Sequence, residues 1–147
     1  MGNRGVVLEN NGKILSTGTG ANAAGINIRA TGATTATGND NDGMLVTGSS
    51  SQILSVDGAI SVTGTGGAGS NSNYGVSLTS GGVISSTGTG NITVMGQGST
   101  ATTGNDNDGI RLSGTNSNIS SVDGSILVTG TGGNGGLRNM GVRSIFG

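Results

Sequence analysis

Five times in 147 residues the chain writes Asn, any residue, Gly and then an aliphatic: Asn3-Arg4-Gly5-Val6, Asn41-Asp42-Gly43-Met44, Asn73-Tyr74-Gly75-Val76, Asn107-Asp108-Gly109-Ile110 and Asn139-Met140-Gly141-Val142. Successive copies start 38, 32, 34 and 32 residues apart, so the chain is an array of units. Repeats of this length cannot bury an apolar face alone and must stack on their neighbours. The coils therefore start near Gly5, Gly43, Gly75 and Gly109, with an incomplete fifth from Gly141, and residues 1–147 form one repeat segment. The first unit is long because Ala21 to Ala24 is an insertion relative to the third. A larger repeat of 66 residues carries "GNDNDG" from Gly38–Gly43 to Gly104–Gly109, and it is a pair of units.

Within each complete unit the aliphatics come two apart in three short runs. The first run holds Val6/Leu8, Met44/Val46, Val76/Leu78 and Ile110/Leu112. The second holds Ile14, Ile53, Ile84 and Ile119, each followed two residues later by Ser16, Ser55, Ser86 or Ser121. The third holds Ile26/Ile28, Ile60/Val62, Ile92/Val94 and Ile126/Val128. A period of two is that of a strand with one buried face, and a disordered Gly/Ser/Thr linker has no reason to keep it. Recurrent glycine with Thr, Ser, Asn and Val disfavours helix throughout. Three short strands per unit predict an all-β fold: a parallel β-helix (β-solenoid) of about four three-faced coils, one coil per unit.

That architecture accounts for a composition with 33 glycines, one Tyr, one Phe and no Pro, Cys, His or Trp. Coils lie ~4.8 Å apart, so like stacks on like and small aliphatics fill a narrow interior. Glycine is expected to supply positive-φ corners. The repeated asparagines Asn3, Asn41, Asn73, Asn107 and Asn139 read as a structural ladder, each amide donating to the carbonyl of the next.

The acidic and threonine residues are the remaining candidates for chemistry. Asp40 and Asp42, with Asp106 and Asp108, offer calcium-type ligands in the two "GNDNDG" loops. The two pairs would lie ~9.6 Å apart, two coils removed, and neither loop has the glycine-rich nonapeptide of calcium-binding β-rolls. The reading is a solvated turn with Asx-type hydrogen bonds, with no cofactor. Thr-Gly-Thr at Thr17, Thr63, Thr87 and Thr129 falls after strand two in units one and three and after strand three in units two and four. It therefore does not build the threonine ladder of an ice-binding face, and its glycine suits a turn. Asp57 and Asp123 sit beside glycine with no basic partner nearby, and no histidine or cysteine is present. The chain is read as no enzyme: no catalytic constellation emerges.

Charge closes other classes. Six basic and seven acidic residues give a net charge of −1, which leaves no basic stripe for nucleic acid and no segment for membrane insertion. No apolar run reaches the ~18 residues of a spanning helix, and Met1-Gly2-Asn3-Arg4 is followed by no signal-peptide apolar region.

Runs such as "GVSLTSGGVISSTGTGNITVMGQG" and "SVDGAISVTGTGG" resemble the β-strand repeats of filamentous haemagglutinin-like and autotransporter-passenger bacterial surface adhesins, from Gly5 to about Val142. The resemblance implies a right-handed parallel β-helix, a place on the bacterial outer surface, and a stalk or adhesive role without chemistry. The partners it implies are a glycan or a cell-surface receptor. Contacts are expected on the segments joining strand three to the next coil: Ala30–Thr37, Gly66–Ser72, Gly96–Thr103 and Gly132–Arg138. The alternatives are a calcium-stabilised carbohydrate- or surface-binding module and a polysaccharide lyase or hydrolase. Unit five stops after its first strand, and no polar cap precedes unit one. The expectation is a window from a longer array whose open ends associate end to end.

Overall fold

Residues 2–101 and 103–146 are described in a computed structural model, and among them every regular element is a β-strand. Coil one holds β1 (Val6–Leu8), β2 (Lys13–Ser16) and β3 (Ile26–Thr31). Coil two holds β4 (Met44–Thr47), β5 (Gln52–Ser55) and β6 (Ile60–Thr65). Coil three holds β7 (Val76–Thr79), β8 (Val83–Ser86) and β9 (Ile92–Gln97). Coil four holds β10 (Ile110–Ser113), β11 (Asn118–Ser121) and β12 (Ile126–Thr131), and β13 (Val142–Ile145) opens a fifth.

Each strand pairs in parallel with its counterpart one coil away. The result is three sheets, ordered β1-β4-β7-β10-β13, β2-β5-β8-β11 and β3-β6-β9-β12. The protein is an all-β solenoid of about four stacked coils. The register follows the apolar pattern: Val6, Met44, Val76, Ile110 and Val142 form one column, and Ile28, Val62, Val94 and Val128 another. A slip of one residue would turn every aliphatic outward, so the alternation itself fixes the register.

The core is the stack of these columns. Met44, Val46, Ile53, Val62, Val76, Leu78, Ile84 and Val94 are wholly buried in coils two and three. Each contributes about 1.5–3 kcal/mol by leaving water. The ends are different: Ile126 is 44% exposed and Val142 48%. The first coil is long because β2 and β3 are joined through residues 17–25, whereas β5 and β6 need only residues 56–59.

Two expectations about glycine hold at some positions and are corrected at others. Thr63-Gly64-Thr65 and Thr129-Gly130-Thr131 lie inside β6 and β12, and only Thr17-Gly18-Thr19 and Thr87-Gly88-Thr89 lie in turns. The third strands run six residues, through positions 64, 96 and 130, because their last inward residue faces the backbone that begins the next coil. A methyl on Gly96 would stand 2.5 Å from Ile110 Cγ1 and closer still to the Gly109 carbonyl oxygen. Glycine supplies positive φ at the corner between first and second strands, at Gly48, Gly81 and Gly114, with φ of 99°, 89° and 82°. At the Asn-x-Gly corner the glycines, such as Gly75 and Gly109, do not take positive φ, and left-handed backbone falls on Asp40, Ser72, Asp106 and Arg138, one above another, at φ of 60°, 59°, 55° and 60°. Glycine at that corner is needed for close approach of backbones, and the turn there is made by residues with side chains.

Candidate functional site

The loop from the third strand into the next coil ends in the Asn-x-Gly corner, where the buried amide and carboxylate side chains collect. Asn41, Asn73 and Asn107 are buried to 1%, 0% and 0% exposure. Their ladder has a direction. The Asn3 backbone N–H donates to Asn41 Oδ1 at 2.9 Å, and Asn41 donates to Asn73 Oδ1 from both its backbone N and Nδ2, each at 3.0 Å. Asn73 repeats the pair of bonds onto Asn107 Oδ1, also at 3.0 Å, and the Asn107 N–H donates to Asn139 Oδ1 at 2.8 Å. Every such bond points towards the carboxyl-terminal neighbour.

A second ladder, which the sequence reading missed, runs the other way two residues earlier. The backbone N–H groups of Asn71, Asn105 and Leu137 donate to Oδ1 of Asn39, Asn71 and Asn105 at 3.0, 2.8 and 2.7 Å. The left-handed residue sits between the two ladders in each coil. "GNDNDG" thus resolves into parts: Asn39 and Asn41 serve opposite ladders, and Asp40 makes the turn. The sequence signal was an asparagine two places before the one in the Asn-x-Gly repeat, present in three loops and replaced by Leu137 in the fourth.

The carboxylates are placed unequally. Asp42, 2% exposed, accepts from Tyr74 N–H at 3.0 Å and from Arg4 Nε at 2.8 Å. Asp108, fully buried, accepts from Met140 N–H at 2.8 Å. Its Oδ2 has no hydrogen-bond partner and lies 3.7 Å from Arg143 Nη1. Asp106 is held by Arg138 at 2.9 Å and Arg143 at 2.5 Å. Between these pairs the Arg111 guanidinium lies 4.9 Å from the centre of the Tyr74 ring and donates to its hydroxyl. Arg4, Tyr74, Arg111 and Arg143 carried no sequence signal, because their neighbours are set by a register spanning separate coils.

The fold does not bring Asp40 and Asp42 to Asp106 and Asp108, since coil three separates them. Among the described residues no three acidic side chains gather where a cation could be shared. Asp57 is a stitch: it accepts Gly20 N–H at 2.7 Å and Thr89 N–H at 2.9 Å, tying coils one and three to coil two. Those bonds, Thr89's first, hold its carboxyl below the usual range. At Asp123 the backbone N–H donates to Gly88 O at 3.1 Å.

Burial pushes Asp42 up to about 6, more than offsetting the bonds from Arg4 and Tyr74 that favour its charge. It pushes Asp108 up as well. An unfolded aspartate titrates near ~3.9, so between roughly pH 4 and pH 6 the folded chain holds a proton that the unfolded chain has lost. Stability must fall as pH rises through that window. Acidifying from pH 7 to pH 5 is expected to add about 1 kcal/mol in chemical denaturation. Asp42→Asn should flatten this dependence, and an unchanged slope in that variant would refute the assignment.

Calcium provides a further check. Low-millimolar calcium is expected to leave the melting temperature unchanged, since Asp42 already spends both oxygens on Tyr74 and Arg4. A rise abolished by Asp40→Asn with Asp106→Asn would overturn this.

Of the loop segments expected to make contacts, Ala30–Thr31 and Gly96–Gln97 belong to β3 and β9. Thr102, inside Gly96–Thr103, lies outside the described residues. The remaining parts of three loops border an open groove of about 550 Å³, with Thr100, Thr103, Asn134 and Gly135 along it.

Compared with known proteins, the chain matches no family model, no curated protein and no solved structure.

Proposed function

We propose that this chain is a non-catalytic structural and adhesive segment of a secreted bacterial surface protein, with its loops turned towards glycans or cell-surface receptors. One observation carries the reading: the acidic and amide groups gathered at the corner are spent on joining one coil to the next. Asp42 and Asp108 at the corner, like Asp57 in the turn between β5 and β6, each accept a backbone N–H from another coil, and the asparagine ladder spans all five corners. Groups so engaged make a rod stiff and leave little for acid–base work. The resemblance of the repeats to those of surface adhesins supports the location, and the groove beside Thr100 and Asn134 is where we place glycan contact.

The test is whole-cell labelling with an antibody raised to the 147-residue chain, on the cells that make it. Labelling of intact cells that is lost after external protease is expected. Labelling only after permeabilisation would overturn the location. Release of new reducing ends from polysaccharides by the purified chain would overturn the non-catalytic reading.

A further inference from the structure

Two of the four Thr-Gly-Thr elements lie inside strands, where register, not turn geometry, places their side chains. In β6 and β12 the threonines on either side of Gly64 and Gly130 point out of the coil, because alternation turns the glycines inward. Pairing with β9 then sets Thr63, Met95 and Thr129 in one outward column and Thr65, Gln97 and Thr131 in the next. Neighbours within a column are ~4.8 Å apart, and the two columns are ~6.6 Å apart. These six residues line an open groove of about 190 Å³. Both of its sides, β6 and β12, belong to complete coils.

The backbone of these strands is engaged in the ladder, so the face offers side chains alone. On the outer face of the first sheet the Thr79 hydroxyl donates to Thr47 Oγ1 at 3.0 Å. Among the described residues nothing within the chain bonds the hydroxyls of Thr63, Thr65, Thr129 or Thr131. β-Branching restricts each of them to few rotamers, so a ligand that meets them orders little. Met95, 41% exposed, stands between Thr63 and Thr129 and supplies a soft apolar surface that adapts to its partner. Gln97 adds an amide that both donates and accepts, and its Nε2 is held within the chain only by Gly98 O, at 3.5 Å.

This lining selects a class of ligand. Methyl, thioether, hydroxyl and amide groups side by side match a molecule with carbon–hydrogen faces and hydroxyl edges. They hold no charge to compensate an ionised group for losing its water. A neutral sugar meets both conditions. A protein partner would need ~800 Å² of each surface, and the groove is a cleft for a ring-sized group. The groove between the loops is close by: Gln97 is three residues from Thr100, and Thr131 three from Asn134, so at most ~11 Å of chain separates the two.

We propose that the outer face of β6, β9 and β12 binds a neutral oligosaccharide, which runs from the column of Thr63, Met95 and Thr129 into the loop groove beside Thr100 and Asn134. The proposal rests on the reading that this chain meets glycans, and adds where the sugar lies and that it carries no charge. Arg29, beside Thr63 in the coil before, takes no part.

The test is titration of the 147-residue chain with cellohexaose, maltohexaose, chitohexaose and mannohexaose, and with hexagalacturonate as the acidic probe, by calorimetry and saturation-transfer NMR. At least one neutral hexasaccharide is expected to bind, unaffected by salt or by Arg29→Gln. Thr63→Val with Thr129→Val keeps the shape and strand propensity but removes two hydroxyls, and should weaken binding by about tenfold, the loss of two neutral hydrogen bonds. Met95→Glu changes an outward residue, leaves the core intact and should abolish binding. Thr47→Val, on the first sheet, should leave it unchanged.

Binding that survives the changes on β6, β9 and β12 but is lost in Asn134→Ala would keep the glycan reading and overturn this site. Binding of hexagalacturonate alone, lost in Arg29→Gln, would overturn the neutral class. Self-association that sedimentation shows to vanish in Met95→Glu would make a second copy the occupant and overturn the proposal. Binding of no hexasaccharide would overturn it as well, and the labelling experiment above would still decide the location.

Discussion

Gly96→Ala, the addition of one methyl group, is expected to destabilise the solenoid by about 3 kcal/mol, the upper end of the cost of overfilling a packed interior. The added carbon would stand 2.5 Å from Ile110 Cγ1 and closer still to the Gly109 carbonyl oxygen. A side-chain tip can rotate away. The carbonyl cannot, because its residue is fixed on both sides: Gly109 N–H donates to Met140 O at 2.8 Å, and its own oxygen accepts from Val76 N–H at 2.9 Å. Relief therefore requires moving a strand that is paired on both edges. Gly38→Ala is the matched control, with ordinary φ and nothing within 4 Å of the new methyl, and should change stability by less than about 0.5 kcal/mol. Urea denaturation of the two variants decides it. Equal midpoints would mean that the contact between third strand and corner is looser than the backbone spacing indicates.

The same contact marks where sequence reasoning stopped. Alternation of Ile60 with Val62 and of Ile92 with Val94 was enough to place strands, coil boundaries and register, because period two and stacking leave one arrangement in which every aliphatic is inside. It could not say that β6 and β9 continue through Gly64 and Gly96, since glycine is as common in turns as at close approaches and its letter carries no sign of which. Nor could it place the left-handed turn on Asp40 and Ser72. Side chains that meet across coils were hidden for another reason. Arg111 reaches Tyr74, 37 residues away, and Arg143 reaches Asp106 at the same separation. Those partners become neighbours only once the lengths of intervening loops are known to the residue.

Identical letters also acquire different physics by position in the stack. Asp42 and Asp108 occupy the same place in "GNDNDG", but Asp42 meets Arg4 from the preceding coil, and Asp108 meets Arg143 from the following one at a longer distance. A repeat constrains shape more tightly than it constrains charge. The backbone ladder needs the same Asn and Gly in every coil, whereas the residue between them has only to offer an oxygen to the next N–H or to do without.

The asparagine ladder should therefore be the second point of largest effect. Asn73→Ala removes the acceptor for Asn41 N–H, which is buried, and breaks the side-chain bond to Asn107 Oδ1. An orphaned buried donor costs about 1–3 kcal/mol beyond any packing loss, so a total near 3 kcal/mol is expected by chemical denaturation. Asn27→Ala, on the exposed side of β3, should cost almost nothing. The polarity of the ladder predicts a gradient as well. Asn3 uses its backbone N–H to reach Asn41, so Asn3→Ala keeps that bond and should be mild. Asn139→Ala removes the acceptor for Asn107 N–H, but at a corner that is more exposed, and should fall between. The double change Asn41→Ala with Asn73→Ala should cost less than the two single changes added, because both break the same rung and removing one partner already orphans the other. Strict additivity would show that the asparagines act independently and that stacking, without the ladder, holds the corner together.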